Sequence, residues 1–247
     1  MLSENTVSKL HDMKLSTMAK TFKAQMNDSN IIDLSFEERF GLIVDQEWIA
    51  RKNNRLARLI RSANYDIPSA CVEDIEYHAD RKLNKDMINR LATCNYIESQ
   101  NNIIIMGATG NGKTYLANAL GMTASRNFYT VKYIRLPELL GELAIARGEG
   151  RYQKVIKHYK QVKLLIFDEW LLFPLSTTDA VEVLEIVNAR HKRASTIFCT
   201  QFPTEAWHEK ISETAVADAI CDRIIHDSYT ILIHGDGMRK RKGLKDS

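Results

Sequence analysis

An α/β fold built on a five-stranded parallel sheet, preceded by a small all-helical region, is predicted by three observations. The apolar run Ile103-Ile104-Ile105-Met106 breaks into Gly107-Ala108-Thr109-Gly110-Asn111-Gly112-Lys113-Thr114 and resumes as Tyr115 to Leu120, which reads as strand, glycine turn and helix. A second apolar run, Leu164 to Phe167, has the continuity of a strand buried on both faces and ends in Asp168-Glu169. Strand-like and helix-like segments then alternate through residue 234, the pattern of a sheet covered on both faces with right-handed crossovers.

The chain of 247 residues has a formal net charge of +3, so bulk composition does not announce a nucleic-acid binder and local charge must decide. Cys71, Cys94, Cys199 and Cys221 are far apart and fall in no zinc-finger or Cys-x-x-Cys spacing, so they are expected as reduced, buried small side chains. Glu4, Lys9, Asp12 and Lys14 break any secretory apolar run, and no stretch approaches the roughly 18 apolar residues of a membrane span. A cytoplasmic protein without membrane contact is the expectation.

Taken in order, apolar residues from Val7 to Met26 recur at helical spacing and predict one amphipathic helix over 6–26. Ser35-Phe36-Glu37-Glu38 is a capping box, in which Ser35 caps the first turn and Glu38 reaches back, and it opens a long helix. The second half of that helix carries Arg51, Lys52, Arg55, Arg58 and Arg61 with no acid among them. Arg51, Arg55 and Arg58 share a face at i, i+4 and i+7, and a helix that is merely solvated usually mixes signs, so these residues are candidates for phosphate-backbone contact with DNA. Residues 64–69, with Pro68, read as a linker, which sets a helical N-terminal domain at 1–68 and a second domain at 69–247.

Asn84 caps a short helix before the first core strand, and the helix after the glycine turn is expected to reach Arg126. Residues 130–134 read as the second strand; Pro137 opens a helix that Gly148 closes. The following segment holds Arg151, Lys154 and Lys157 at i, i+3 and i+6, a second basic helix and a second candidate DNA contact. Thr177 or Thr178 caps the next helix, residues 195–200 form a strand ending at Gln201, residues 215–223 a helix ending at Arg223, and residues 229–234 the last strand. The chain ends in a basic tail containing Arg239, Lys240, Arg241, Lys242 and Lys245.

The chemistry follows from spacing. Glycines let backbone N–H groups from Gly107 through Tyr115 curl around a phosphate chain at a helix N-terminus, whose partial charge favours the anion. Lys113 then meets the terminal phosphates of a nucleotide and the Thr114 hydroxyl ligates Mg²⁺. Asp168, at the end of a buried strand, is the second holder of Mg²⁺, and Glu169 polarises a water for in-line attack. Gln201 reaches the same crevice if its strand lies between the other two. Arg223 either pairs locally with an acid or acts as an arginine finger on a nucleotide held by a neighbouring subunit.

These residues together resemble the IstB family of AAA+ ATPases, related to the DnaC and DnaI helicase loaders. The resemblance rests on the capped Ser35-Phe36-Glu37-Glu38-Arg39 helix, Gly107 to Thr114, Tyr133-Ile134-Arg135-Leu136-Pro137-Glu138-Leu139-Leu140, and Phe167-Asp168-Glu169-Trp170. It extends through Thr200-Gln201, Trp207-His208-Glu209, Ala217 to Arg223 and Gly235 to Lys240. It implies an AAA+ P-loop core with a C-terminal lid reduced or absent, and an Mg²⁺-dependent ATPase that oligomerises on double-stranded DNA with ATP between subunits. Such a protein remodels target DNA and recruits and stimulates a transposase; a helicase loader is the alternative. The resemblance makes Lys113 and Thr114 the Walker A pair, Asp168 and Glu169 the Walker B pair, Gln201 the sensor-1 position and Arg223 the finger, with Arg239 a weak stand-in for a sensor-2 arginine.

Overall fold

The structure is a computed structural model that describes residues 2–28, 31 and 33–235; Arg239 and the rest of the basic tail lie outside the described residues. Contacts divide the chain into two compact units, Met1–Arg58 and Leu59–Ser247.

Within the first unit, α1 (Leu2–Asp12) and α2 (Ser16–Met26) form a hairpin where a single helix was expected. The break is at Lys14, whose φ of 60° is left-handed backbone that ends a helix. Helix α3 begins at Phe36 and runs to Ala63, beyond the boundary of this unit. Its capping box forms as expected: the Ser35 backbone N–H donates to Glu38 Oε2 at 2.8 Å and the Glu38 N–H to Ser35 Oγ at 3.3 Å. The Ser35 hydroxyl, donating to Glu38 Oε2 at 2.8 Å, and then the Ser35 backbone N–H hold the Glu38 carboxyl below its ordinary pKa. Hydrophobic side chains buried in this unit, among the described residues, are those of Ala19 and Ile43.

The second unit holds the sheet. Helices α4 (Lys85–Ala92) and α5 (Asn95–Glu98) precede β1 (Asn102–Gly107), followed by α6 (Lys113–Arg126), β2 (Val131–Arg135), α7 (Leu136–Gly148) and α8 (Tyr152–Gln161). The chain continues through β3 (Leu164–Asp168), α9 (Thr177–Arg190), β4 (Ser195–Thr200), α10 (Thr214–Ile225) and β5 (Ser228–Ile233). The five strands are parallel in the order β2-β3-β4-β1-β5, so β4 does lie between the strands that carry the glycine loop and the acidic pair. Leu164 to Phe167 are fully buried, each side chain contributing about 1.5–3 kcal/mol of transfer free energy.

Local caps refine the expected ends. Asn84 accepts from the Met87 N–H at 3.0 Å, as expected, but α9 is capped by Ser176, whose Oγ accepts from the Asp179 N–H at 3.2 Å. Arg151 is the N-cap of α8 and stands outside it, so the second basic helix keeps Lys154 and Lys157, while α7 ends at Gly148 as expected. Residues 64–69 are no linker: the Tyr65 hydroxyl bonds Ser125 Oγ at 2.7 Å and the Ile67 N–H donates to Asn118 Oδ1 at 3.3 Å, fixing the segment to α6.

Candidate functional site: a nucleotide crevice at the strand ends

The glycine loop spans from the end of β1 to the first turn of α6. Gly107 cannot carry a side chain, because a Cβ there would stand 2.7 Å from the Ile233 carbonyl oxygen at the end of β5. Gly112 caps α6 at φ 88°, a left-handed conformation that glycine adopts without a Cβ penalty. Asn111 is buried; its Nδ2 donates to the Ile233 carbonyl at 3.1 Å, so this side chain anchors the loop to β5. The buried Arg81 donates to the Asn111 carbonyl at 3.0 Å and braces the loop from the other side. Lys113 Nζ lies along the loop, donating to the carbonyls of Gly107 at 2.8 Å and Ala108 at 3.0 Å.

β3 brings the acidic pair to the same place. Thr114 Oγ1 donates to Asp168 Oδ2 at 2.7 Å, the Tyr133 hydroxyl donates to the same oxygen at 2.8 Å, and the Glu169 N–H donates to Asp168 Oδ1 at 2.9 Å. Glu169 leaves the strand at φ 54° and lines the crevice beside Asp168. Its Oε1 is 4.0 Å from Arg135 Nε, and Arg135 also meets Asp66 at 3.1 Å and Glu138 at 3.7 Å. Gln201 closes the arrangement, its Oε1 accepting from Thr109 Oγ1 at 2.9 Å. Lys113, Thr114, Asp168, Glu169 and Gln201 therefore line one crevice of about 200 Å³. Thr114 and Asp168 offer hard oxygen donors side by side, the chemistry Mg²⁺ takes beside a phosphate, so the residues fit that ion.

A larger cavity of about 360 Å³ adjoins the loop, lined by Ile67, Ile75, Leu83, Tyr115 and Leu116 together with Asp74, Glu76 and Arg81. It is apolar, contiguous with the phosphate loop through Gly110, Gly112 and Lys113, and of a size for a nucleoside. The reading of the sequence missed this wall because residues 67–83 carry no helical or strand period. Tyr115, expected at the phosphates, stands here with its hydroxyl 3.4 Å from the Cys71 N and O.

The outlying residues fare differently. Arg223 is on α10, outside this crevice, donating to the Ala219 carbonyl of its own helix at 2.7 Å. Lys52, Arg55, Arg58 and Arg61 are exposed on α3, Lys52 resting 4.1 Å over the Trp48 ring. Arg51 holds the first unit together: its Nε donates to Glu47 Oε1 at 2.7 Å and its Nη2 to the Lys14 carbonyl at 2.8 Å. Glu47 in turn accepts from the Thr17 and Met18 N–H groups at the start of α2. Lys154 and Lys157 are exposed on α8, whereas Arg151 pairs with Glu149. Of the cysteines, Cys94, Cys199 and Cys221 are buried as expected and Cys71 is half-buried; all are free. Among the described residues no helix is long and apolar enough to cross a membrane.

Comparison with known proteins agrees with this geometry. Residues 8–246 match the model of the IstB-like ATP binding protein family. An insertion-sequence ATP-binding protein of Sinorhizobium fredii strain NGR234, y4pL, is 38% identical over 99% of this chain and 100% of its own length. The ATP-binding protein of insertion sequence IS232 from Bacillus thuringiensis subsp. berliner is 28% identical over 96% of this chain and 94% of its own. Among solved structures, DnaI superposes with a TM-score of 0.59 at 20% identity, covering 72% of this chain and 93% of DnaI. The DnaC helicase loader gives 0.57 at 15%, covering 66% and 96%. Those two likenesses show a shared fold, and the family match with the relatives' names goes further: the chain belongs to the IstB-like ATP-binding proteins of insertion sequences.

Proposed function

We propose that this chain is an Mg²⁺-dependent ATPase that assembles as a homo-oligomer on double-stranded DNA, with ATP at subunit interfaces, and serves a transposase by remodelling its target DNA. The observation that carries the reading is the convergence of Lys113, Thr114, Asp168, Glu169 and Gln201 on one crevice beside an apolar cavity fit for a nucleoside. The insertion-sequence names of its relatives support a transposase as partner.

In this reading the loop N–H groups and the Lys113 ammonium hold the β- and γ-phosphates, countering the charge that grows on them as the bond breaks. Mg²⁺, held through the Thr114 hydroxyl and the Asp168 carboxylate, supplies further neutralisation of that charge. Glu169 accepts a proton from the attacking water, which adds to the γ-phosphorus as the bond to the β-phosphate oxygen breaks, giving ADP and phosphate. Gln201, already bonded to the loop through Thr109, orients the γ-phosphate or the water. Arg223 stands away from its own crevice and acts on the nucleotide of a neighbouring copy.

Lys52, Arg55, Arg58 and Arg61, with Lys154 and Lys157, contact DNA phosphates and read no sequence, since they offer charge and few base-reading groups. An ATPase assay with and without duplex DNA tests the reading. The expected result is Mg²⁺-dependent turnover that disappears in Glu169→Gln while bound ATP persists; wild-type turnover in that variant overturns the role of Glu169.

A further inference from the structure

Tyr133 does more in the crevice than a core tyrosine does. It lies on β2, the edge strand beside β3, with β3 and β4 between it and the strand that carries the glycine loop, and is buried. Its hydroxyl emerges at the single carboxylate that the site uses for a cation: it donates to Asp168 Oδ2 at 2.8 Å, the same oxygen that takes the Thr114 hydroxyl at 2.7 Å. Asp168 Oδ1 is meanwhile taken by the Glu169 N–H at 2.9 Å. Three donors thus fix the carboxylate in position and in rotation.

Two residues along the same face of β2, Arg135 stands 3.1 Å from Asp66 and 4.0 Å from Glu169, so β2 meets both acids of the pair. β2 pairs with β3 in a register that sets Arg135 opposite Asp168 and Tyr133 opposite Ile166. The phenol length carries the hydroxyl up from that position to the strand end.

We propose that Tyr133 is a positioning residue for the Mg²⁺ site, holding the Asp168 carboxylate in the orientation in which it, with Thr114, receives the ion that accompanies ATP. The proposal rests on the ATPase reading above. Its physical content is that a phenyl ring at 133 fills the same space but leaves the carboxylate free to turn, so ion binding weakens while the nucleotide contacts of the loop and the apolar cavity stay as they are. Partners that orient a metal ligand are worth about 10- to 100-fold in metal affinity when removed.

The test compares wild type with Tyr133→Phe by titrating Mn²⁺ into the full chain with ATP bound, read by electron paramagnetic resonance. A parallel measurement reads the affinity for a fluorescent ATP analogue in EDTA. The expected result is Mn²⁺ affinity weakened about 10- to 100-fold, with nucleotide affinity in EDTA unchanged. Incorporating 3-fluorotyrosine at 133, which keeps ring and donor, should restore tight Mn²⁺ binding and keeps the test open if the phenylalanine variant misfolds.

Wild-type Mn²⁺ affinity in Tyr133→Phe overturns the proposal, as does an equal loss of nucleotide affinity with and without the ion, which marks a merely structural tyrosine. A wild-type chain that binds neither nucleotide nor ion overturns the ATPase reading first, and the inference with it.

Discussion

The crevice at the strand ends and the basic half of α3 are both dense in polar and charged side chains, yet they are built on opposite principles. In the crevice Lys113 on the loop carbonyls, Thr114 on Asp168 and Thr109 on Gln201 have fixed partners at 2.7–3.0 Å, at the end of a sheet whose β3 and β4 are fully buried. On α3 the cations are exposed along one helix, in a part of the chain that exposes Phe36, Phe40 and Trp48 and buries little. A site that stabilises one transition state needs preorganised geometry, while a surface that neutralises a polyanion needs only charge at the right spacing. Substitutions should therefore act all-or-none in the first region and in small, additive steps in the second.

The largest effect belongs to Arg223→Ala, which should lower turnover by about 10³-fold or more while leaving nucleotide affinity intact. Mixing it with Lys113→Ala should recover activity at interfaces that pair an intact crevice with an intact arginine; no recovery at any ratio would place Arg223 outside the reaction. Glu169→Gln follows, with turnover reduced about 10²- to 10⁴-fold and ATP retained, read by single-turnover hydrolysis. On α3 the expected scale is far smaller. Arg55→Ala or Arg58→Ala should each flatten the salt dependence of duplex binding by about 1 in log–log slope, and equally on unrelated sequences. Arg51→Ala separates the two principles within one helix. It should lower the melting temperature through loss of the bonds to Glu47 and Lys14, worth about 1 kcal/mol or less at this exposed position, whereas Arg58→Ala should not.

The same contrast governs what could be read from the sequence. The five strands, the glycine loop, the acidic pair and the place of Gln201 were legible because each depends on local pattern: a continuous apolar run, a fixed glycine spacing, a residue just past a strand. Tyr133 was legible as part of a strand and Arg135 only as the residue just past it, and neither as part of the site, because their meeting with Asp168 and Glu169 depends on register across two strands. The wall of the larger cavity, Ile67 to Leu83, was hidden for the same reason: irregular backbone carries no period. Arg51 looked like its basic neighbours, and only the fold shows that Glu47 and Lys14 claim it. The break at Lys14 also escaped, since the apolar spacing continues through it and a left-handed lysine leaves no mark in composition.

The central claim is that ATP gates assembly on duplex DNA, and sedimentation of the full chain with unrelated duplexes tests it most directly, in ATP, ADP or no nucleotide across a salt series. The account predicts large complexes with ATP alone, equal on each sequence and lost steeply as salt rises. Absence of duplex binding in every nucleotide state at low salt, or binding indifferent to nucleotide, would contradict it.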